Sequence, residues 1–567
     1  MLLVLHTLEA TCLILNQMIG WSIFVLPSFV AVLLENKTAA AIIWPLGGLY
    51  TLLCAYINLE YAAAWPFNGG EFIYISRMFR YPPLLLMCSF AWFFVAFSTP
   101  AGSSLVFAQQ IVPRQLAQPN AWRTMYIASA LTAVISWIHY RHPRIGLFAN
   151  WASAAAKISF LVVMICAGLI RAVIDTHSIP PFDEFRGHSG ENSTAYSKAV
   201  AVLLVLYSYH GWQAATYVTS EIYGGEETHD DECSQRRVKS LKSSTYLAVC
   251  VVTVIYSLFN WLLLWMFDFE TMKNHKVSMT ALLAMKAFGT SRMEDTACSI
   301  SFCIATCAFG NVVSVLYTNK KVIRKIAWKR LIPYYATFQA SSTYGRSKWD
   351  EKGTPRGALL LVTLITHVTT WLIFLRPVSE EVPFFISSIF TYGHSIVGIL
   401  LGSGFLQHYR EIHERRLRNE EMACTTPHPD DRISRVFHVA FRWFAGGIFL
   451  LGNIFVLVMP FFSVMDPRAY PWTLPTWILP LALGVVCSYG AFAAIYILST
   501  CSRIWFDDGR RDSRVFQHKR GWMLEFPNIN LTNFWIPHHP GALRERFALR
   551  EESFDGEHTS LVSQNSV

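Results

Sequence analysis

The sequence predicts an all-α polytopic membrane protein, on three observations. Of 567 residues, 53% are hydrophobic and only 15% carry a charged side chain, where a soluble domain averages about 25% charge. Long apolar segments recur along the chain, each sufficient for a hydrocarbon core of about 30 Å. Basic residues gather between those segments, where they set orientation in a bilayer.

Twelve apolar segments follow in order, at about 8–34, 39–64, 84–112, 122–140, 150–174, 197–222, 243–267, 294–318, 357–375, 382–406, 436–463 and 473–500, each read as a membrane helix. The first is not a signal peptide: no basic residue precedes it, it is too long, and no small-residue cleavage site follows. Met1 is expected almost at the membrane. The fragment 66–83 is predicted to be short and interfacial. With the start of the chain in the cytosol, inward loops hold about 25 Lys and Arg and outward loops about 11, the asymmetry of an inward-positive protein. Both termini are therefore predicted to be cytosolic. The densest inward cluster is Lys320, Lys321, Arg324, Lys325, Lys329 and Arg330, followed by Arg410, Arg415, Arg416 and Arg418. Sequons at Asn36-Lys37-Thr38 and Asn192-Ser193-Thr194 fall on predicted outer loops, and a third at Asn530 falls in the inner tail. Residues 1–500 thus form one twelve-helix domain. Residues 501–567 form a polar cytosolic tail that opens on Arg510, Arg511, Arg514, Lys519 and Arg520 beside anionic lipid and closes on Glu551 to Val567, too polar to fold alone.

Composition also excludes classes. The net charge of +9 is distributed over loops and predicts no nucleic-acid partner. The cysteines lie mostly within apolar segments (Cys54, Cys88, Cys166, Cys250, Cys487) with no CxxC pair. Cys303 and Cys307 share a helix turn without histidine or acidic partners and are read as packing. No metal site and no cofactor is predicted.

The chain is organised around Asn16-Gln-Met-Ile-Gly-Trp-Ser-Ile-Phe-Val-Leu-Pro27. Gly20, Ser22 and Pro27 weaken a helix at a depth where lipid supplies no replacement hydrogen bonds, so open backbone there must line a cavity. Such a break presents N–H groups to an anion and C=O groups to a cation. The plain alternative is a packing glycine with a proline kink. The sixth segment repeats the pattern: Leu206 to Glu221 is apolar, then polar around Tyr209, His210, Gly211 and Gln213. Its break falls at Gly211-Trp212, as the first falls at Gly20-Trp21. Interrupted spans in corresponding positions of two halves point to a transporter site. Their spacing implies inverted five-helix repeats over about 8–174 and 197–406, with extra helices over 436–500. His210, an intramembrane histidine, is a functional candidate or a neutral ring bonded to a nearby carbonyl. Glu221 reads as a helix-end or gate residue paired with a cytosolic base. Lys157, inside Ala-Ala-Ala-Lys-Ile-Ser-Phe, either snorkels to the interface or faces the interior, where it requires carbonyl partners and is able to release a proton during a cycle.

Four stretches carry a resemblance. Met18-Ile-Gly-Trp-Ser-Ile-Phe24 is similar to an Ile-Gly-x-Gly-Ile-Phe motif. Leu59-Glu60 through Pro66 and Asn68-Gly-Gly-Glu71 is similar to Glu…Pro-x-x-Gly-Gly-Glu-Tyr. Tyr209-His-Gly-Trp212 through Glu221, and Ala308-Phe-Gly-Asn-Val312 with Val322-Ile323 and Leu331-Ile-Pro333, complete the set. Together they resemble permeases of the amino acid–polyamine–organocation superfamily, in particular fungal high-affinity methionine permeases and L-type amino acid transporters. The resemblance implies a LeuT-type 5+5 inverted repeat with discontinuous helices one and six. It places a substrate carboxylate on the N–H groups around Trp21, Ser22 and Ile23. The ammonium falls to carbonyls of Met18 and Ile19 and those near Tyr207 and His210, and Gly20, Tyr209 and Gly211 complete the substrate-binding set. Tyr207 matches an aromatic outer gate. Lys157 matches a fifth-helix lysine that stands in for sodium in ion-independent members. Ser22 replaces a glycine, while Trp21 and His210 replace small residues, which reshapes the side-chain pocket and adds a group able to titrate.

The expected function is import of a neutral amino acid, methionine being the named candidate, across the plasma membrane with protons. The alternative is a nutrient sensor that keeps the pocket and signals. No nucleophile–base or metal motif supports an intramembrane enzyme, and no acidic ring supports a channel. The loop Pro113 to Ala121 lacks a cysteine, so no disulfide-linked partner subunit is expected.

Overall fold

A computed structural model describes residues 5–79, 85–112, 121–174, 194–222, 230–274, 279–289, 293–329, 331–332, 334–339, 355–374, 382–408, 411–412 and 432–459. The predicted twelfth segment, the tail, the loop from Pro113 to 120 and the sequons at Asn192 and Asn530 lie outside these residues. The described chain is helical, with one isolated backbone bridge between Leu5 and Ile222.

The first predicted span is two helices, α1 (Thr7–Met18) and α2 (Ser22–Leu34), meeting at 46°. Pro27, expected to weaken this span, sits inside α2 without ending it. Only Ile19 to Trp21 is open. α3 (Lys37–Ala64) follows a connection of two residues. Asn36 caps it, its side chain accepting from the Ala39 amide at 2.9 Å. That carboxamide, part of the first sequon, is therefore committed to holding a helix end. α4 (Glu71–Met78) is a short helix within the fragment 66–83, and its Glu71, Phe72, Ile73, Tyr74, Ile75 and Met78 are all buried in protein. The third predicted span is α5 (Leu85–Phe97) with α6 (Ala101–Ile111), and α7 (Ala121–Arg141) and α8 (Pro143–Ile174) succeed it.

The sixth predicted span is not one helix. α9 (Ala195–Ser208) stops at a turn, and a 3-10 helix runs from Ala214 to Glu221. Then come α10 (Asp230–Met266), two short helices, α11 (Phe269–Asn274) and α12 (Met279–Phe288), and the long α13 (Met293–Trp328). The remaining helices are α14 (Tyr335–Gln339), α15 (Arg356–Phe374), α16 (Val382–Gln407) and α17 (Arg432–Val458). Among the described residues six helices are long and apolar enough to cross a membrane, or seven with α1 and α2 counted as one bent span.

Of the basic cluster assigned to a loop after residue 318, Lys320, Lys321, Arg324 and Lys325 are helical instead. Lys320, Lys321 and Arg324 continue α13 and are buried. Hydropathy falls at the first charge, but backbone hydrogen bonding does not. Their charges are met by protein: Lys321 pairs with Glu221, Lys320 lies 4.4 Å from the Tyr317 ring centre, and Arg324 and Lys325 cover Trp328.

α1 is enclosed, packing against α8, α10 and α13 at once. α2 packs on α9, and α3 on α10. The two interrupted spans thereby share neighbours and approach each other at their breaks.

Candidate functional site

A helix end leaves its last carbonyls without intrahelical partners. At the end of α1 each one is met by a side chain from a surrounding helix. Lys157 of α8 donates Nζ–H to the carbonyls of Asn16 (3.0 Å) and Ile19 (2.8 Å). Tyr256 of α10 donates its hydroxyl to the Met18 carbonyl at 2.8 Å. Asn311 of α13 donates its amide to Gln17 O at 3.2 Å and Asn16 O at 3.4 Å. The choice of types is physical: a cation favours a helix C-terminus, and Lys157, only 1% exposed, requires such acceptors. It does not snorkel. Asn16 is itself tied to Asn150 and Ser153.

Across the break, Ile19 leaves helical geometry (ψ 87°) and the Gly20 amide folds back onto the Met18 carbonyl at 3.0 Å. Trp21 is the N-cap of α2, with no side-chain cap. The Phe24 amide bonds to Trp21 O. Ser22 and Ile23 begin the helix, so their N–H groups have no partner within it. A Cβ added to Gly20 would meet no atom within 4 Å; the space beside the break is open.

The second break faces this one. After Ser208 the His210 amide turns back to Tyr207 O at 3.0 Å, and Gly211 takes φ +116°. A Cβ on Gly211 would stand 2.7 Å from Gln17 Cβ and 2.9 Å from the Met18 amide nitrogen. The turn therefore touches the end of α1 and tolerates only glycine, by conformation and by space. Trp21 and Tyr207 bridge the breaks, their ring centres 6.2 Å apart. Gln17, Gly20, Tyr207, His210 and Asn311 are half-buried among fully buried neighbours, which marks where packing opens.

His210 is held as one tautomer. Its Nδ1 accepts from the Gly211 amide at 3.1 Å and faces Gln213 Nε2 at 3.1 Å. His394 of α16 stands edge-on at 4.4 Å between ring centres, and Phe93 abuts His394. The Tyr209 ring packs with Trp44 and Tyr256, and its hydroxyl donates to the Trp44 carbonyl at 2.9 Å. Its side chain thus serves the contact with α3. Met18 O already accepts from Gly20 N–H and Tyr256 O–H, and Ile19 O from Lys157. Sequence reasoning missed Tyr256, Asn311 and His394 as site residues. Asn311 lay within a recognised motif, but a tyrosine or a histidine in an apolar span carries no signal of its own partner.

At the C-terminal end of the 3-10 helix, Glu221 pairs with Lys321 and accepts from the Tyr317 hydroxyl at 2.7 Å. The Leu5 amide bonds to the Glu221 carbonyl at 2.8 Å.

Residues 5–487 match the amino acid permease family model. The chain belongs to the amino acid permease family. It is similar to the high-affinity methionine permease of Saccharomyces cerevisiae, with 20% identity over 87% of this chain and 79% of that one. The low-affinity methionine permease of the same yeast is 24% identical over 73% and 72%. The b(0,+)-type amino acid transporter 1 of Mus musculus is 22% identical over 45% and 49%. The permease is therefore a multi-pass membrane protein of a transporter family, not an enzyme, as its motifs implied.

Proposed function

We propose that this permease imports a neutral amino acid, methionine foremost, across the plasma membrane with protons, by alternating access in a LeuT-type fold of twelve helices. One observation carries the reading: the turn at Gly211 touches Gln17 and Met18, while the space beside Gly20 is open. Two helix ends of opposite polarity converge there, which is the arrangement that holds a zwitterion. The first-turn N–H groups of Ser22 and Ile23, with Trp21, take the carboxylate. Because Lys157 and Tyr256 already engage Ile19 and Met18, and the His210 amide engages Tyr207 O, the ammonium is left to the carbonyl at His210 and to the second lone pairs of Tyr207 O and Ile19 O. Trp21, Tyr207 and His210 shape the side-chain pocket, which favours a medium-sized neutral residue. Methionine is named because two yeast relatives are methionine permeases.

Lys157 acts as the coupling group. Charged, it holds the α1 carbonyls in place. Neutral, it holds them less tightly and lets the break relax, so loss of its proton is linked to the state of the site. The reading puts the cytosol, and both termini with it, on the side closed by Glu221, Lys321 and Tyr317, an orientation supported by the inward excess of Lys and Arg.

Uptake of labelled amino acids by cells lacking their own permeases, at acid and neutral pH, tests the function. Net uptake of methionine or another neutral amino acid is expected. If membrane-inserted protein moves none of the twenty, the function is wrong. Lys157→Gln should lower acid-stimulated uptake about tenfold, within the range of coupling between linked sites, at unchanged surface expression. A variant with the wild-type pH profile would remove Lys157 from the coupling step.

A further inference from the structure

The tight turn before α4 clasps the inner half of the sixth span. The Ser220 amide donates to Asn68 Oδ1 at 2.8 Å. The Gly69 amide donates to Tyr217 O at 3.2 Å. Gly70, at φ +49°, lies so close to Thr216 and Tyr217 that a Cβ would stand 2.7 Å from each side chain. Beside these contacts lies a carboxyl group. Glu71 is 4% exposed, and the Tyr217 hydroxyl donates to its Oε2 at 3.2 Å.

This carboxyl lacks the partners that usually accompany a buried charge. Glu71 makes no ion pair among the described residues. The amides of Phe72, Ile73 and Tyr74 are spent on the carbonyls of Gly69 and Gly70, so the first turn of α4 does not solvate it. A lone buried carboxylate is costly, and such a group takes up a proton instead. We infer that Glu71 is a proton-binding site that latches the inner half of the sixth span, neutral while the clasp is closed and ionised once the clasp opens to water.

The proton passes from the carboxyl oxygen to water on the side that opens, and returns on closing, so none is consumed. Nothing known of Lys157 is required, although the direction of opening rests on the alternating-access reading above. The titratable and charged groups around Glu71 are consistent. Tyr217 comes from the 3-10 helix and Tyr74 from α4, with Tyr61 of α3 stacked on Tyr74 at 5.2 Å. The Lys325 stem of α13 reaches Gly69, and its ammonium covers Trp328. Arg77 lies further along α4, α5 carries Cys88, α16 carries His394, and His408 directly follows α16. Burial pushes the Glu71 carboxyl up to about 7, against the smaller opposing effect of the Tyr217 hydrogen bond. Because this folded value lies above the ordinary 4.5, the clasp is fully favoured below the ordinary value, weakens as pH rises from there towards about 7, and changes no further above it.

Hydrogen–deuterium exchange of purified permease without substrate tests this, with rates corrected for intrinsic chemistry and read at residues 214–222. Protection should be high at about pH 4.5 and fall as pH rises to about 7, by up to about tenfold per unit for a one-proton step, then level off. Glu71→Gln, permanently neutral, should keep acid-like protection at every pH. Tyr217→Phe, which removes the hydrogen bond, should move the midpoint upward and preserve the slope. Lys157→Gln should leave the profile unchanged even where uptake is lost, so failure of proton coupling and failure of this site are read separately. A wild-type profile flat across this range overturns the inference, as does Glu71→Gln with the wild-type slope or Tyr217→Phe with an unmoved midpoint.

Discussion

Gly211 has a φ of +116° and no room for a methyl group against Gln17 and Met18, whereas Gly20 faces open space. Alanine at the two positions should therefore act differently. Gly211→Ala strains the backbone, at a cost of order 1–3 kcal/mol, and pushes the breaks apart. A lower melting midpoint and loss of uptake are expected. Gly20→Ala should leave the midpoint unchanged and raise the KM for uptake several-fold by filling the hollow (a tenfold change is about 1.4 kcal/mol). Equal destabilisation by both would mean that no space exists beside Gly20. Both glycines were legible because each interrupts an apolar span before a tryptophan. Lys157 was legible as a charge among alanines, but its partners were not, since they are backbone atoms brought from a distant helix. The packing of the Tyr209 side chain was not legible, because its neighbours in sequence are polar while its neighbours in space are Trp44 and Tyr256.

The 3-10 helix from Ala214 to Glu221 is held at both sides, by the Asn68–Glu71 turn and by the inner end of α13. Removing one partner of the buried Glu221–Lys321 pair costs about 3–5 kcal/mol in the state that buries it. Glu221→Gln keeps the size and the Tyr317 contact but removes the ionic partner of Lys321. It should populate the inward-open form, seen as faster efflux of preloaded substrate and several-fold weaker apparent affinity from outside. Unchanged efflux would show that this contact does not gate. Sequence placed Glu221 at a helix end beside a base, yet it ended the eighth span at residue 318. The helix continues to Trp328 because Glu221, Tyr317 and Trp328 accommodate charges that hydropathy counts as solvent-exposed. That α4 is buried in protein was equally hidden, because a short fragment with Asn, Glu and Arg gives no sign that its turn docks on another helix.

Across the whole molecule, α1 is the common partner of α8, α10 and α13, and its terminal carbonyls are the point that all three hold. Apolar length and loop charge were enough to read a membrane bundle, and paired interruptions were enough to locate its centre. The donors that stabilise the open backbone depend on tertiary packing, which no spacing within one span encodes. The most direct measurement is an experimental structure of the permease with its transported amino acid bound. The carboxylate is predicted within hydrogen-bond distance of the Ser22 and Ile23 amides, about 2.7–3.2 Å, and the ammonium against carbonyls of the turn at Tyr207 to Gly211. An amino acid bound elsewhere, or unbroken helix through Gly20 and Gly211, would contradict the account.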